Sequence, residues 1–313
     1  MRSSGRDIVE LFGFAPNDLT PLALKNWNDR SCPFTQSSCS KTNHDKSVVY
    51  GVCSVTSGSK STDLSEVIVC PKRLYGDNFS IFDHVAADVW PNRRWPLVAG
   101  GSIEQLKKKA LSKENCVAVF GQGSGREFQI NANGKLSMDW VLQSHEVTGG
   151  VIRPLEFVGV EVQSIDTTNN YRDCWSGYER LKIDGKVSQI PESEHGLNWA
   201  NVHKRLIPQI IRKGAIYSKI DRCAGFYFIV PTAVYAKFEQ VIGPMSKVNK
   251  AGNDVLSVMT VDLDKPVGDG QSRSISVKGI THYLLGDIAA AFIANASVSA
   301  HSELDDLVRN ILR

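Results

Sequence analysis

The chain has 313 residues, 42% of them hydrophobic and 22% charged, with a formal net charge of +3. That is the composition of a soluble globular protein, long enough for one large domain or two modest ones. It excludes a membrane-spanning helix, since no apolar run approaches the ~20 residues of a span, and its mild basicity is compatible with a nucleic-acid partner without demanding one.

The opening MRSSGRDIVELFGF lacks the apolar stretch and small-residue cleavage site of a secretory signal, so a cytoplasmic location is expected. DIVELFG (7–13) and PLALKNW (21–27) read as short helices. From Asp29 to about Lys72 the chain is polar and turn-rich. It holds two strand-like runs, SVVYGVCSV (47–55) and EVIVCPKRL (66–74), on either side of the loop TSGSKSTD, and the second strand ends at Cys70-Pro71. Cys32, Cys39, Cys53 and Cys70 lie in this segment, while Cys116, Cys174 and Cys223 sit in apolar or aromatic surroundings. An odd cysteine count without an export signal argues against a disulfide framework.

A segment so poor in large apolar residues does not build its own core, and such modules commonly rely on a metal or on disulfides. Four thiolates there suit tetrahedral zinc or iron. Their gaps are longer and less regular than the C-x2-C pairs of zinc fingers, so four unrelated reduced thiols remain the alternative. His44 is a rival ligand.

Further along, SIEQLKKKALSKE (102–114) predicts a helix with Ser102 as N-cap. NCVAVFGQG predicts a strand, and GREFQI with KLSMDWVLQS a hairpin around Asn131 to Gly134. Gly149-Gly150 and Pro154 are expected to break the chain before the strand VGVEVQSID (158–166). The stretch 197–219 has helical spacing at Trp199, Val202, Leu206 and Ile210, with a kink expected at Pro208. CAGFYFIVP (223–231) and VLSVMTVDLD (255–264) predict strands, and SELDDLVRNILR (302–313) an amphipathic helix. The loose alternation implies a mixed α/β core.

In VGVEVQSID, Val158, Val160 and Val162 alternate with Gly159, Glu161 and Gln163, so an acid and an amide share one strand face. Upstream, Asp139 sits beside Trp140 in an apolar, strand-like setting. Two such carboxylates can bind Mg²⁺ while the third group orients the attacking water, as phosphodiester hydrolysis requires. Nucleases commonly use a D…(D/E)-x-K version. Here Gln163 stands in place of the lysine, which leaves water activation to metal or solvent. The plain alternative is the solvated side of an edge strand.

Several segments together resemble the NotI family of type II restriction endonucleases. CPF (32–34), GVCSV (51–55) and VIVCPKRL (67–74) are similar to its N-terminal metal-binding module, and LSMDW (136–140) with GVEVQSID (159–166) to its catalytic core. LNWANVHKR (197–205) and RCAGFYFIVP (222–231) are similar to segments beyond it, and the length points to the EagI-like members. The resemblance implies a PD-(D/E)xK nuclease core over 76–313 and a four-cysteine module within 1–75. That module would hold structural iron, with zinc as second choice, on Cys32, Cys39, Cys53 and Cys70.

The resemblance also implies a homodimer in a bacterial cytoplasm that cuts double-stranded DNA with Mg²⁺ at a GC-rich palindrome centred on GGCC. CGGCCG with 5′ overhangs is the expected site. A cognate methyltransferase is expected in the same system, though not as a stable subunit. Asp139, Glu161 and Gln163 fall on catalytic positions, and Glu127 on a further acidic one. The Glu161 and Gln163 face is expected to line a cleft for the scissile phosphate.

Arg93, Arg94, Lys107 to Lys109, Lys204, Arg205, Arg212 and Lys213 are candidates for phosphate contacts. Tyr171 and Arg172 follow the catalytic strand and are candidates for DNA contact, Arg172 foremost because an arginine can pair bidentately with guanine. The rival readings are a repair or junction nuclease of the same fold, and a non-catalytic DNA-binding protein working through its four cysteines.

Overall fold

The computed structural model describes residues 6–43, 45–58, 64–98, 103–112, 114–122, 128–131, 135–168, 171–186 and 189–295, and residue 308. A three-stranded antiparallel sheet and an eight-stranded mixed sheet organise them.

The first part of the chain runs β1 (Ile8–Leu11), α1 (Pro21–Asn28), a ribbon of β2 (Ser31–Cys32) and β3 (Ser37–Ser38), then β4 (Val52–Ser57) and β5 (Ser65–Ile68). The small sheet has the order β1-β4-β5. β1 overturns the expected helix over 7–13. Its apolar residues fit either period, but all four strand residues are buried, and Ile8 and Leu11 pair with Val55 and Val52. A strand covered on both faces shows no alternation to read. α1 forms as expected, with Thr20 as N-cap accepting the Ala23 N–H and Pro21 opening the first turn.

A 3₁₀ turn at Pro71–Tyr75 and a short turn α2 (Gly76–Phe79) lead into α3 (Ile81–Val89), β6 (Leu97–Val98) and α4 (Ile103–Leu111). Then come β7 (Cys116–Gly121), the hairpin of β8 (Phe128–Asn131) and β9 (Lys135–Met138), β10 (Trp140–Thr148) and β11 (Val151–Val162). β12 (Thr167–Thr168), α5 (Arg172–Asp184) and β13 (Gly196–Leu197) follow, then a π-helical turn at Val202–Leu206 and α6 (Ile207–Tyr217). Then come β14 (Cys223–Pro231), α7 (Thr232–Ile242), β15 (Lys247–Val248), β16 (Val255–Leu263) and β17 (Ile275–Leu284), and residues 285–295 are helical.

The large sheet has the order β15-β17-β16-β14-β11-β10-β7-β6. β11 sits near its centre, antiparallel to β10 and parallel to β14. Gly149 and Gly150, both at positive φ (60° and 78°), make the two-residue turn between β10 and β11. Pro154 does not break β11. It lies upstream of Phe157, where β14 has not yet begun and a register shift relaxes the pairing with β10. Pro208 stands in the first turn of α6, where its missing N–H costs nothing. Ser102 and nearly all of SELDDLVRNILR lie outside the described residues.

Both faces of the large sheet are covered. Val158, Val160 and Val162 pack with Trp140, Tyr227, Phe82 and Val85. On the opposite side, Phe226 and Phe228 of β14 share one cluster with Ile207, Ile210 and Tyr217 of the α6 segment, with Trp175 and Tyr178 of α5, and with Ile8, Val52 and Val67 of the small sheet. Among the described residues no helix is long and apolar enough to cross a membrane.

Candidate active site

Asp139 stands at the bend between β9 and β10, not inside one continuous strand. Its neighbour Trp140 anchors that bend. The indole N–H donates to the Tyr75 hydroxyl at 3.0 Å, and the ring sits 5.0, 5.3 and 5.2 Å from those of Tyr75, Phe79 and Phe82. With the backbone so fixed, Asp139 Oδ2 accepts the Val162 N–H at 3.2 Å and the Asp139 N–H donates to Glu161 Oε1 at 3.3 Å. Gln122, which carries no signal in the sequence, donates its side-chain amide to Asp139 Oδ1 at 3.5 Å and its backbone N–H to the Asp139 carbonyl at 3.1 Å.

Glu161 is not on an open face. It is 3% exposed, covered by α6, and its Oε2 accepts a hydrogen bond from Lys213 Nζ. This corrects two expectations: the cleft lined by the Glu161 face, and Lys213 as a phosphate-contacting surface charge. Lys213 is 5% exposed and ion-paired. Burial and the nearby Asp139 carboxylate push the Glu161 carboxyl up from its ordinary range, and Lys213 opposes them. Two acids sharing a desolvated site repel when ionised, and a cation relieves that cost. One helical turn beyond Lys213, the buried Tyr217 hydroxyl has no hydrogen-bond partner among the described residues, and Glu161 and Asp139 both add to the burial that raises its pKa.

Gln163 is half-buried and lines a cavity of about 150 Å³ with Asp166, Asn201, Arg205 and Gln209. The structure therefore brings Asp139 and Glu161 into contact and sets Gln163 at a neighbouring mouth. Glu127 lies outside the described residues.

The four N-terminal cysteines are neighbours. Cys39 senses Cys70 and Cys32, and Cys53 senses Cys70 and Cys39, with burial pushing the Cys39, Cys53 and Cys70 thiols up. Yet among the described residues no group of three or more His, Cys, Asp or Glu side chains is arranged to hold a metal ion. The expected converged four-thiolate group is thus not seen. Local backbone partners engage the sulfurs instead, the Gly51 carbonyl for Cys53 and the Lys41 N–H for Cys39, each at 3.5 Å. His44 lies outside the described residues.

The surface candidates divide. Tyr171 is 8% exposed and packs edge-on against Tyr50 at 5.1 Å, so its ring belongs to the core. Arg172 is exposed at the first position of α5, and Lys204 and Arg205 are exposed on the π-helical turn. Arg93 pairs with Glu156 at 2.6 Å, and Lys109 pairs with Glu114. Arg94, Lys107, Lys108 and Arg212 are exposed.

No curated protein matches the chain. A family model does, described as Restriction endonuclease NotI, and it matches residues 20–270 of the 313. That stretch holds Asp139, Glu161, Gln163 and all four N-terminal cysteines. The chain belongs to the NotI restriction endonuclease family, and with it to the site-specific nucleases of double-stranded DNA.

Proposed function

We propose that the chain is a type II restriction endonuclease whose hydrolytic centre is Asp139 and Glu161, with Mg²⁺ as its cation. The observation that carries this reading is the contact between the two acids, one from a bend and one from the central strand, joined by the Asp139 N–H on Glu161 Oε1. Their hard oxygen donors suit Mg²⁺, which takes one or two protein carboxylates and completes its shell with water and phosphate oxygens. Two repelling acids and an unpartnered Tyr217 hydroxyl also make a polar site that such a hydrated ion would relieve. When bound, Mg²⁺ supplies Lewis-acid polarisation of the phosphoryl oxygen and a more acidic water. Asp139 and Glu161 hold their charges in register for it, and the Gln163 amide orients water or phosphate without acting as a base. From the family resemblance, Glu127 is proposed as a further acidic residue in the reaction. The bent junction of β9 and β10 beside a mixed sheet supports the PD-(D/E)xK class.

From the EagI-like resemblance, the DNA site is a GC-rich palindrome centred on GGCC, with CGGCCG as the sequence and 5′ overhangs as the product. A two-fold homodimer matches such a site, with one centre per strand. Arg172, Lys204 and Arg205 are the proposed DNA contacts, and a cognate methyltransferase protects the host. Plasmid digestion with Mg²⁺, followed by sequencing of the ends, tests this. Discrete fragments ending at GGCC-centred sites support it, and a smear or AT-rich ends contradict it.

A structural iron, or zinc as second choice, on Cys32, Cys39, Cys53 and Cys70 belongs to the same reading. The mutual range of the four thiols supports it, together with the donor type. Elemental analysis of dialysed, active protein is expected to find about one iron per chain. Active protein without a transition metal removes this part and leaves the hydrolytic centre standing.

A further inference from the structure

In a D…(D/E)-x-K site the ammonium stands two residues after the second acid, but here that position is Gln163. The cation beside Glu161 comes from elsewhere. Lys213 Nζ reaches Glu161 Oε2 from α6, a helix 52 residues further along the chain. Three features hold it there. Tyr217, four residues on and so on the same helix face, lays its ring over Gly159, where a Cβ would stand 2.2 Å from Cζ. Gly214 lets α6 close on Leu285, whose Cδ1 would lie 2.5 Å from a Cβ at that position. Both ends of the ion pair are nearly sealed from water.

Burying an ammonium against a carboxylate is expensive, and well-packed apolar residues are often at least as stable. Stability alone therefore does not account for a lysine at this place. Geometry does. With Oε2 held by Lys213 and Oε1 by the Asp139 N–H, the Glu161 carboxylate is fixed at both oxygens.

We propose that Lys213 is a positioning residue of the active site: its ammonium fixes Glu161 against Asp139 and supplies from α6 the positive charge that position 163 lacks on the strand. The inference rests on the nuclease reading of Asp139 and Glu161. It distinguishes the buried Lys213 from the exposed lysines and arginines on the surface.

The test compares full-length wild type with Lys213→Met, Lys213→Arg and the double variant Gln163→Lys/Lys213→Met. Plasmid cleavage is measured in single turnover with Mg²⁺. DNA binding is measured with Ca²⁺, on a duplex carrying the site mapped from wild-type digestion, and folding by thermal melting. Lys213→Met is expected to lose about 100-fold in cleavage rate, the scale of removing one fixed charge-stabilising group, while binding the duplex like wild type. Lys213→Arg keeps the charge and is expected to retain part of the activity. Returning an ammonium at position 163 should regain part of the rate lost in Lys213→Met, which a purely structural role for Lys213 does not predict.

Near wild-type cleavage by Lys213→Met overturns the proposal. So does loss of Ca²⁺-supported binding in step with cleavage. Should Lys213→Met fail to fold, the two charge-retaining variants decide: both folded and both inactive overturns it. Wild type that cuts no DNA with Mg²⁺ fails the nuclease reading, and the inference with it. Wild type that cuts no faster than Lys213→Met fails the inference alone.

Discussion

Tyr217 occupies the space that a side chain at position 159 would need: a Cβ on Gly159 would stand 2.2 Å from the ring's Cζ and 2.6 Å from its hydroxyl. The requirement is close approach, because Gly159 sits in the extended backbone of β11 and needs no glycine-only φ. It lets α6 lie directly under β11. Gly159→Ala is expected to force the ring aside and cost about 1–3 kcal/mol of stability, the usual range for overpacking. Cleavage should fall further than DNA binding, because Lys213 moves with the helix. A urea transition unchanged from wild type would show that α6 is not seated as described.

Arg73 and Glu10 form a buried, two-pronged ion pair, Nε to Oε2 at 2.9 Å and Nη2 to Oε1 at 3.1 Å, with the Ser54 hydroxyl also donating to the carboxylate. The Phe34 ring lies 4.4 Å from the guanidinium. The pair ties β1 to the 3₁₀ turn that begins after Cys70 and ends on Tyr75, the partner of Trp140. Arg73→Met leaves a buried carboxylate without its cation and is expected to cost about 3–5 kcal/mol. Denaturant unfolding is the measurement, and a loss well under 1 kcal/mol, the scale of an exposed pair, would count against the linkage.

His195 is buried, with Nδ1 2.6 Å from the Ser193 hydroxyl and Nε2 2.8 Å from the Thr56 carbonyl. Burial holds its pKa below the ordinary 6.5, partly offset by the bond to Thr56. The folded chain therefore takes up this proton less readily than the unfolded chain. The histidine's contribution is complete above the unfolded pKa of about 6.5 and is lost as pH falls through the lower folded value. Melting temperatures at pH 7.5 and pH 5.5 should show a larger acid loss in wild type than in His195→Gln. Equal losses would remove His195 from the account.

The central sheet was legible from sequence because β7, β14 and β16 are β-branched or aromatic runs with clear ends. The contact between Asp139 and Glu161 is foreshadowed by their spacing and the family resemblance. β1 was not, because four consecutive buried residues carry no period, and the Arg73 that lets Glu10 lie inside is 63 positions away. Lys213 reads as a surface charge for the same reason, since only the tertiary packing of α6 places it on Glu161. Tyr171 and Arg172 are adjacent in sequence, but the pair splits, with the Tyr171 ring packed against Tyr50 and Arg172 exposed. The cysteines show the reverse limit. Sequence gathers them in one segment, and folding makes them neighbours, but neighbourhood does not by itself fix a ligand geometry.

The most direct test of the central claim is Mg²⁺-dependent plasmid cleavage by Asp139→Asn beside Ca²⁺-supported DNA binding by the same protein. The amide keeps the size of the side chain and an acceptor for the Val162 N–H, so the fold is preserved while one of the two charges is removed. Cleavage is expected to fall by at least about 100-fold with binding intact. A variant that binds and still cuts at close to the wild-type rate would mean that the Asp139–Glu161 pair is not the hydrolytic centre.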